Sequence, residues 1–408
     1  MKQCIILIIG TLFLLTSCID SSKNTVGFVG SGITPTMITI PDSCFTNQYS
    51  FQDTTENYAN NTSLFLGTNN SKEAKVLLKF TNLPDSIVTL THLRLSFPFT
   101  KNSLLNPNEF NFSEILQNWD ENKANKFKAT SDENWDNPDE ISANPFILTD
   151  YTIENDSLVF DINSDNEAIN NFKELLNTWI SADSLNNGLL MVLQQDYYHD
   201  PETNYLELNS SENLVQPHLS FTYRTETDTV DVTYFRPPAY DTFIINEQIS
   251  TDEIQGLTIS NISPTRMFFK FNLPQNLFPG INSNSEYQKL TVNKAELVLH
   301  TELSDKYLTD HAFSFYPYLV TSENPDLPIS SENYISLSGS TVTTDSLEYD
   351  KELRINITPI VQAITSGDKD NYGIIVKSLK EGKNFDNIDF QTDDLKLDII
   401  FTQPNLDD

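Results

Sequence analysis

Residues 157–192 read SLVFDINSDNEAINNFKELLNTWISADSLNNGLLMV, and their order of elements decides the fold. An apolar strand from Leu158 leads into a helix start, where Ser164 and Glu167 stand at capping-box spacing and satisfy two otherwise orphaned amides. Ile169, Phe172, Leu176 and Trp179 then recur at helical spacing, one apolar stripe to lay on a sheet. Asn187-Gly188 permits the positive φ angles of a tight turn into a second strand, Leu189 to Leu193.

Residues 353–377, LRINITPIVQAITSGDKDNYGIIVK, repeat this plan with different letters. Thr358 is expected to cap the helix, Pro359 suits its first position, and Ile360, Val361 and Ile364 make a shorter stripe. Gly367 ends it, and Tyr372-Gly373 leads into Ile374, Ile375 and Val376. The echo extends upstream, where Lys79-Phe80-Thr81-Asn82-Leu83-Pro84 is answered by Lys270-Phe271-Asn272-Leu273-Pro274. Period-two alternation at Leu93, Leu95 and Phe97 is answered at Leu297 and Leu299. Each copy closes on a strand, Leu219 to Tyr223 and Leu395 to Thr402. Elements in one order, twice, imply two related domains. Many short strands with one late helix imply a mainly β chain of two tandem antiparallel β-sandwich, jelly-roll-like domains, each with a short helix late in it. The expected boundaries are 45–223 and 240–403, with a linker at 224–239 stiffened by Pro237-Pro238 and a tail at 404–408.

The N-terminus carries an address. Lys2 precedes an apolar run from Ile5 to Leu15, shorter than the roughly 20 residues of a membrane span, so 1–17 reads as a signal peptide. Leu15-Thr16-Ser17-Cys18 resembles a bacterial lipobox, which makes Cys18 the lipidated first residue and the outer membrane the partner reached through that lipid. Residues 18–44 form a polar tether, with Ile38 to Ile40 as the first strand of domain one. Of the 3 cysteines, Cys4 leaves with the signal and Cys18 carries lipid, so Cys44 has no partner for a disulfide. A net charge of −32 argues against nucleic acid and suits an exported, soluble surface.

A resemblance to a known family rests on particular residues. Asn57-Tyr58, Leu64 to Gly67, Val76 to Phe80, Leu93-Arg94-Leu95, Asp161-Ile162, Trp179, Asn186-Asn187-Gly188-Leu189-Leu190 and Gln216 to Tyr223 together resemble the DNRLRE-type β-sandwich domains, which include family 96 carbohydrate-binding modules. The second half matches more loosely, through Asn356-Ile357-Thr358 and Asn371-Tyr372-Gly373. The namesake motif is absent and the region of Trp119 and Trp135 is longer than the family's tryptophan segment. With the lipobox and the acidic composition, the chain looks like a Bacteroidota-type lipoprotein, on the cell surface or the periplasmic face.

Chemistry is sparse. The 5 histidines include no HxH or HExxH pair, and GxSxG elbows and phosphate loops are absent. Carboxylate pairs such as Asp120/Glu121 and Asp132/Glu133 carry no information in so acidic a chain. No catalytic residue, metal site or cofactor is therefore expected. The Asp/Asn-rich turns Asp183 to Asn187 and Asp368 to Asn371 lack EF-hand spacing and read as turns.

Aromatic residues are the lead for a glycan ligand. Trp119 and Trp135, in the polar stretch Asn106 to Asn144, read either as exposed indoles that stack on sugars or as plugs at the sandwich edge. Tyr197, Tyr198 and Tyr205 form a second aromatic-polar group. Thr229 is the best match to the Asp-Ser/Thr O-glycosylation pattern of that bacterial group. The expectation is a non-catalytic envelope lipoprotein that binds carbohydrate through domain one. The competing reading is a structural or adhesive protein with envelope-protein partners, its sandwiches acting as spacers.

Overall fold

The computed structural model describes residues 35–403, apart from 54–56, 70–71, 105–108, 138–139, 149, 164–166, 195–202, 228, 248–255, 303–312, 324–328, 330, 338–341 and 345–350. The expected signal peptide, Cys18, most of the expected tether, Ser164, Tyr197 and Tyr198 lie outside the described residues. Within them the chain is mainly β and its sheets are antiparallel.

In chain order the first strands are β1 (Thr36–Ile40), β2 (Phe45–Gln52), β3 (Ser63–Asn69), β4 (Lys72–Lys79), β5 (Thr89–Asn102), β6 (Glu109–Ile115), β7 (Ser142–Leu148), β8 (Thr152–Ile153) and β9 (Ser157–Asn163). Helix α1 (Glu167–Ser181) precedes β10 (Leu189–Gln194), β11 (Thr203–Asn209), β12 (His218–Arg224), β13 (Val232–Arg236) and β14 (Tyr240–Glu247). From these strands a first sheet assembly forms with two facing layers. One layer runs β13-β12-β5-β9-β8. The other runs β14-β4-β10-β6-β7, and β11 joins β3 to the far end of β5. Pro98 sits where β5 changes partner, after Ser96 opposite β12 and before Phe99 opposite β11. A residue without an N–H fits where the ladder is interrupted.

Alternate residues of both layers meet in one core. Leu93, Leu95, Phe97 and Phe160 from the first layer pack with Val76, Leu78, Phe110, Phe112 and Met191 from the second, all fully buried. Phe112 and Phe160 meet edge to face across the layers at 5.4 Å. Helix α1 buries Ile169, Phe172, Leu176 and Trp179 against this core, as its periodicity requires.

The second set is β15 (Leu257–Ser260), β16 (Thr265–Phe271), helix α2 (Asn284–Gln288), β17 (Thr291–Glu302), β18 (Phe313–Val320), β19 (Tyr334–Ile335), β20 (Val342–Thr344), β21 (Glu352–Asn356), helix α3 (Thr358–Ser366), β22 (Ile374–Ser378), β23 (Asn387–Phe390) and β24 (Lys396–Thr402). It rebuilds the same plan: β1-β24-β17-β21 in one layer and β2-β16-β22-β18 in the other. Strands β15 and β23 stand where β3 and β11 stand in the first assembly. The late helix is present in each set, and the five-residue α2 is an element the sequence reading omitted.

The pairing crosses the expected domain boundaries, and in both directions. β1 and β2, which precede the first repeat, complete the second assembly, Thr36 lying opposite Phe401 and Gln52 opposite Thr265. β13 and β14, which precede the second repeat, complete the first, Arg236 lying opposite Leu219 and Tyr240 opposite Lys79. The stretch expected as a linker at 224–239 holds β13, the tether holds β1, and the edges assigned at 45 and 240 give β2 and β14 to the wrong assemblies. Local pattern marks a strand but not its partner, because ladder bonds are non-local. Burial of Phe243, Ile244 and Ile245 on β14 stabilises the exchanged arrangement by about 1.5–3 kcal/mol for each side chain.

Two local devices recur in the two assemblies. Asn186 donates its amide to the Phe80 carbonyl at 2.8 Å, and Asn371 does the same to Phe271 at 2.6 Å. Two residues on, Gly188 and Gly373 take φ of 90° and 112°. A Cβ on Gly188 would lie 2.2 Å from the Leu78 carbonyl oxygen, so only glycine lets β10 approach β4 here. Thr358 departs from its expected role: it begins the helix, and its hydroxyl accepts the Ala295 amide of β17 at 2.8 Å instead of capping. Gly367 ends α3 in the left-handed conformation, as expected.

A buried guanidinium fastens the exchanged end of β2. Arg266 on β16, 0% exposed, contacts Asp53 at 2.5 Å and Glu381 at 2.8 and 2.9 Å. Burial opposes its charge, but the bonds to Glu381 and the field of Asp53 outweigh that and hold it protonated. The seam between assemblies is also closed by Lys72, which donates to Ser260 at 2.6 Å, and by Asn61, which donates to the Gly382 carbonyl at 2.9 Å.

The exchange makes a sharp prediction about fragments. Residues 57–249, which keep β3 to β14 together, give a cooperative circular-dichroism melt when expressed alone. Residues 40–226 lack β13 and β14, leave β4 as an open edge, and aggregate.

Candidate functional site

The outer face of the β14-β4-β10-β6 layer carries two of the sequence candidates, Trp119 and Trp135. Along β4, β10 and β14 the residues that miss the core are Lys75, Leu77, Leu190, Val192 and Ile244. Such a face of mixed character needs partial cover. The stretch from Trp119 to Ile141 supplies it, held in turns by bonds such as Asp120 N to the Ala129 carbonyl (2.9 Å) and Trp135 N to the Phe127 carbonyl (3.2 Å). Asn57 fastens this stretch from below, donating to the carbonyls of Glu121 and Ala124 at 2.7 and 2.8 Å.

The two tryptophans are brought together, but inside. Trp119 is 6% exposed and Trp135 3%, and both join a small core with Leu77, Ile115, Ala124, Ile141, Leu190 and Ile244. Each indole N–H donates to a backbone carbonyl at 2.7 Å, Trp119 to Asn187 and Trp135 to Asn125. Neither offers a face to a sugar, so of the two readings the buried plug holds and the exposed platform does not. The physical reason is that a polar stretch without regular strands needs an apolar anchor, and the indoles are the largest it has. Tyr205 is likewise in the core, 2% exposed, between Phe65 and Phe385 with ring centroids 6.4 and 4.7 Å away. Its burial raises the phenol pKa, with the nearby Lys101 pulling the other way. Thr229 is exposed, in the turn between β12 and β13. Trp179 is buried under α1 as expected.

What the stretch leaves uncovered is a groove of about 400 Å3 beside it. Its floor is Leu190, Val192, Ile141 and Ile244, and its rim carries Lys75, Lys126, Asn111, Ser113, Ser142 and Glu140. Ser113 donates to Ser142 at 2.8 Å, Asn111 donates to Gln194 at 3.1 Å, and Lys75 pairs with Glu73 at 3.1 Å. The volume lies within the range of ligand clefts, roughly 300–1,000 Å3. Apolar floor and hydroxyl, amide and ammonium rim suit a hydroxyl-rich ligand. Among the described residues the lining includes one carboxylate, Glu140. No sequence signal marked this groove, because it exists only where the tryptophan stretch stops short on the sheet face.

The two Asp/Asn-rich turns are structural among the described residues. Asp183–Leu185 is a short 3-10 helix, and Asp368 accepts the Ser366 hydroxyl at 2.8 Å. Compared with protein-family models and with curated proteins, the chain matches none.

With the indoles internal, truncation reads out as stability. Trp119→Ala and Trp135→Ala each lower the unfolding free energy in urea by about 3–5 kcal/mol, the cost of a large aromatic cavity. A loss near zero for either would show that its ring is surface.

Proposed function

We propose that this chain is a non-catalytic lipoprotein of the outer membrane, anchored through Cys18, whose interlocked sheet assemblies serve as a stiff structural or adhesive element. The observation that carries the reading is that the first assembly, β3 to β14, is inserted within the second, which takes β1 and β2 from ahead of it. Two sandwiches on a single flexible linker bend and extend independently, whereas here two chain crossings, after β2 and before β15, and the seam contacts of Tyr58, Asn61 and Lys72 join the assemblies. That property suits a spacer that holds a binding partner at a set distance from the membrane, or a subunit in an envelope complex. The likeness to DNRLRE-type domains, the acidic composition of the chain and the tether expected after Cys18 belong to the same reading.

Optical-tweezers pulling on the full chain, held at residues 35 and 403, tests it. Assemblies coupled by the nested chain path and the seam contacts give one cooperative rip that releases both. Two rips of comparable length would mean independent modules and remove the basis for a stiff element. In cells, Cys18→Ser moves the protein from the membrane pellet to the soluble fraction.

A second reading, carbohydrate binding, is favoured by the groove rather than by the tryptophans. On this reading Asn111→Ala and Lys126→Ala each abolish retention on a glycan array that captures the parent protein, with the melting temperature unchanged. Retention that survives both substitutions places any sugar elsewhere.

A further inference from the structure

Three carboxylates meet beside the exchanged strand β14. Glu121 comes from the tryptophan stretch, Glu212 from the turn after β11, and Asp241 from β14 itself. Each offers an oxygen within 4.8 Å of the others. Asp241 is 0% exposed; its Oδ2 accepts the Ser211 amide at 2.7 Å, and its Oδ1 meets no donor. Glu121 accepts the Asp241 amide at 2.7 Å, and Glu212 accepts the hydroxyls of Ser210 and Ser211 at 2.8 and 3.2 Å. Among the described residues no lysine, arginine or histidine pairs with any of the three.

A buried carboxylate oxygen without a donor, among two further carboxylates and no cation, is costly as it stands. Burial, with Glu212 and Glu121 beside it, pushes Asp241 up to about 7, and burial raises Glu121 as well. Elsewhere the same chain meets this problem with protein charge: Asp53 and Glu381, at the exchanged end of β2, close on Arg266. The first assembly has no such arginine at β14.

We propose that Glu121, Glu212 and Asp241 bind a divalent cation, calcium by preference, which clamps the exchanged strand β14 to the first assembly. The donors are all hard oxygens, the set that takes calcium or magnesium and not zinc or copper. Oxygens up to 4.8 Å apart span a calcium sphere, whose bonds are about 2.3–2.6 Å, more readily than the tighter octahedron of magnesium at about 2.0–2.1 Å. Glu212 is exposed, so water completes the shell on that side. The ion would join three segments that the sequence holds far apart, at positions 121, 212 and 241.

The test uses the full chain after EDTA treatment. Isothermal titration with CaCl2 is expected to show one saturable site, with a Kd of about 10⁻⁴–10⁻³ M or tighter, as in extracellular modules. Calcium should also raise the melting temperature, and equimolar MgCl2 should raise it less. Asp241→Asn and Glu212→Gln should each weaken binding at least about 10-fold, since each removes a charged ligand. Because Asp241→Asn relieves a buried repulsion, its EDTA-treated form should melt no lower than the parent. This keeps lost binding distinct from lost folding, and the exposed position of Glu212 gives a second check. The absence of saturable binding up to about 10 mM CaCl2, well above that range, overturns the proposal. Binding that both variants retain unchanged does the same.

Discussion

Backbone hydrogen bonding across the exchanged strands is the constraint on which this structure depends. Strands β4 and β16 are central in their layers only because β14 and β2 lie beside them. Without those partners each would present a row of unpaired amides and carbonyls, an edge open to aggregation. β2 reaches its partner from ahead of the whole first assembly, and β14 reaches β4 from the chain that follows β12 and β13. The chain therefore cannot finish its first assembly until residue 247 is in place, nor its second without residues 36 to 52. Contacts of such sequence separation make closure late in folding.

The seam deepens the interdependence. Tyr58, just ahead of β3, stacks on Phe243 of the exchanged strand with centroids 4.4 Å apart, and its hydroxyl donates to the Ile262 carbonyl of the second half at 2.9 Å. Phe385 reaches from the second half into the first core, edge on to Phe65 at 5.4 Å. Polar bonds from Lys72 and Asn61 close the rest. Apolar burial and satisfied polar groups at one junction favour a single relative arrangement. The structural role proposed above rests on this junction.

Aromatic residues behave here as core material even where the surrounding sequence is polar. Trp119 and Trp135 sit among Asn, Asp, Glu and Lys, yet the stretch carrying them folds back on a sheet face that already exposes Leu77, Leu190 and Ile244. An indole can satisfy both demands, since its ring fills the apolar gap while its N–H meets a carbonyl. The groove is the remainder of that face, where Lys75, Asn111 and Ser113 replace the apolar positions. Groove and packing surface are thus two ends of one sheet face.

The repeated order of elements was legible from residues alone: the period-two runs at Leu93 to Phe97 and Leu297 to Leu299, the apolar stripe ending at Trp179, and the Asn-x-Gly turns before β10 and β22. These are local signals, because side-chain direction follows from strand and helix geometry within a few residues. Legible too were the core role of Trp179 and the mainly β, antiparallel class. Partner choice was not, since β1, β2 and β14 look alike in pattern and pair with strands far away in the chain, Thr36 with Phe401, Gln52 with Thr265 and Tyr240 with Lys79. The burial of Trp119, Trp135 and Tyr205, and the meeting of Glu121 with Glu212 and Asp241, belong to the same class of fact. In an acidic chain one carboxylate reads like another, and only the folded backbone brings three of them together without a cation.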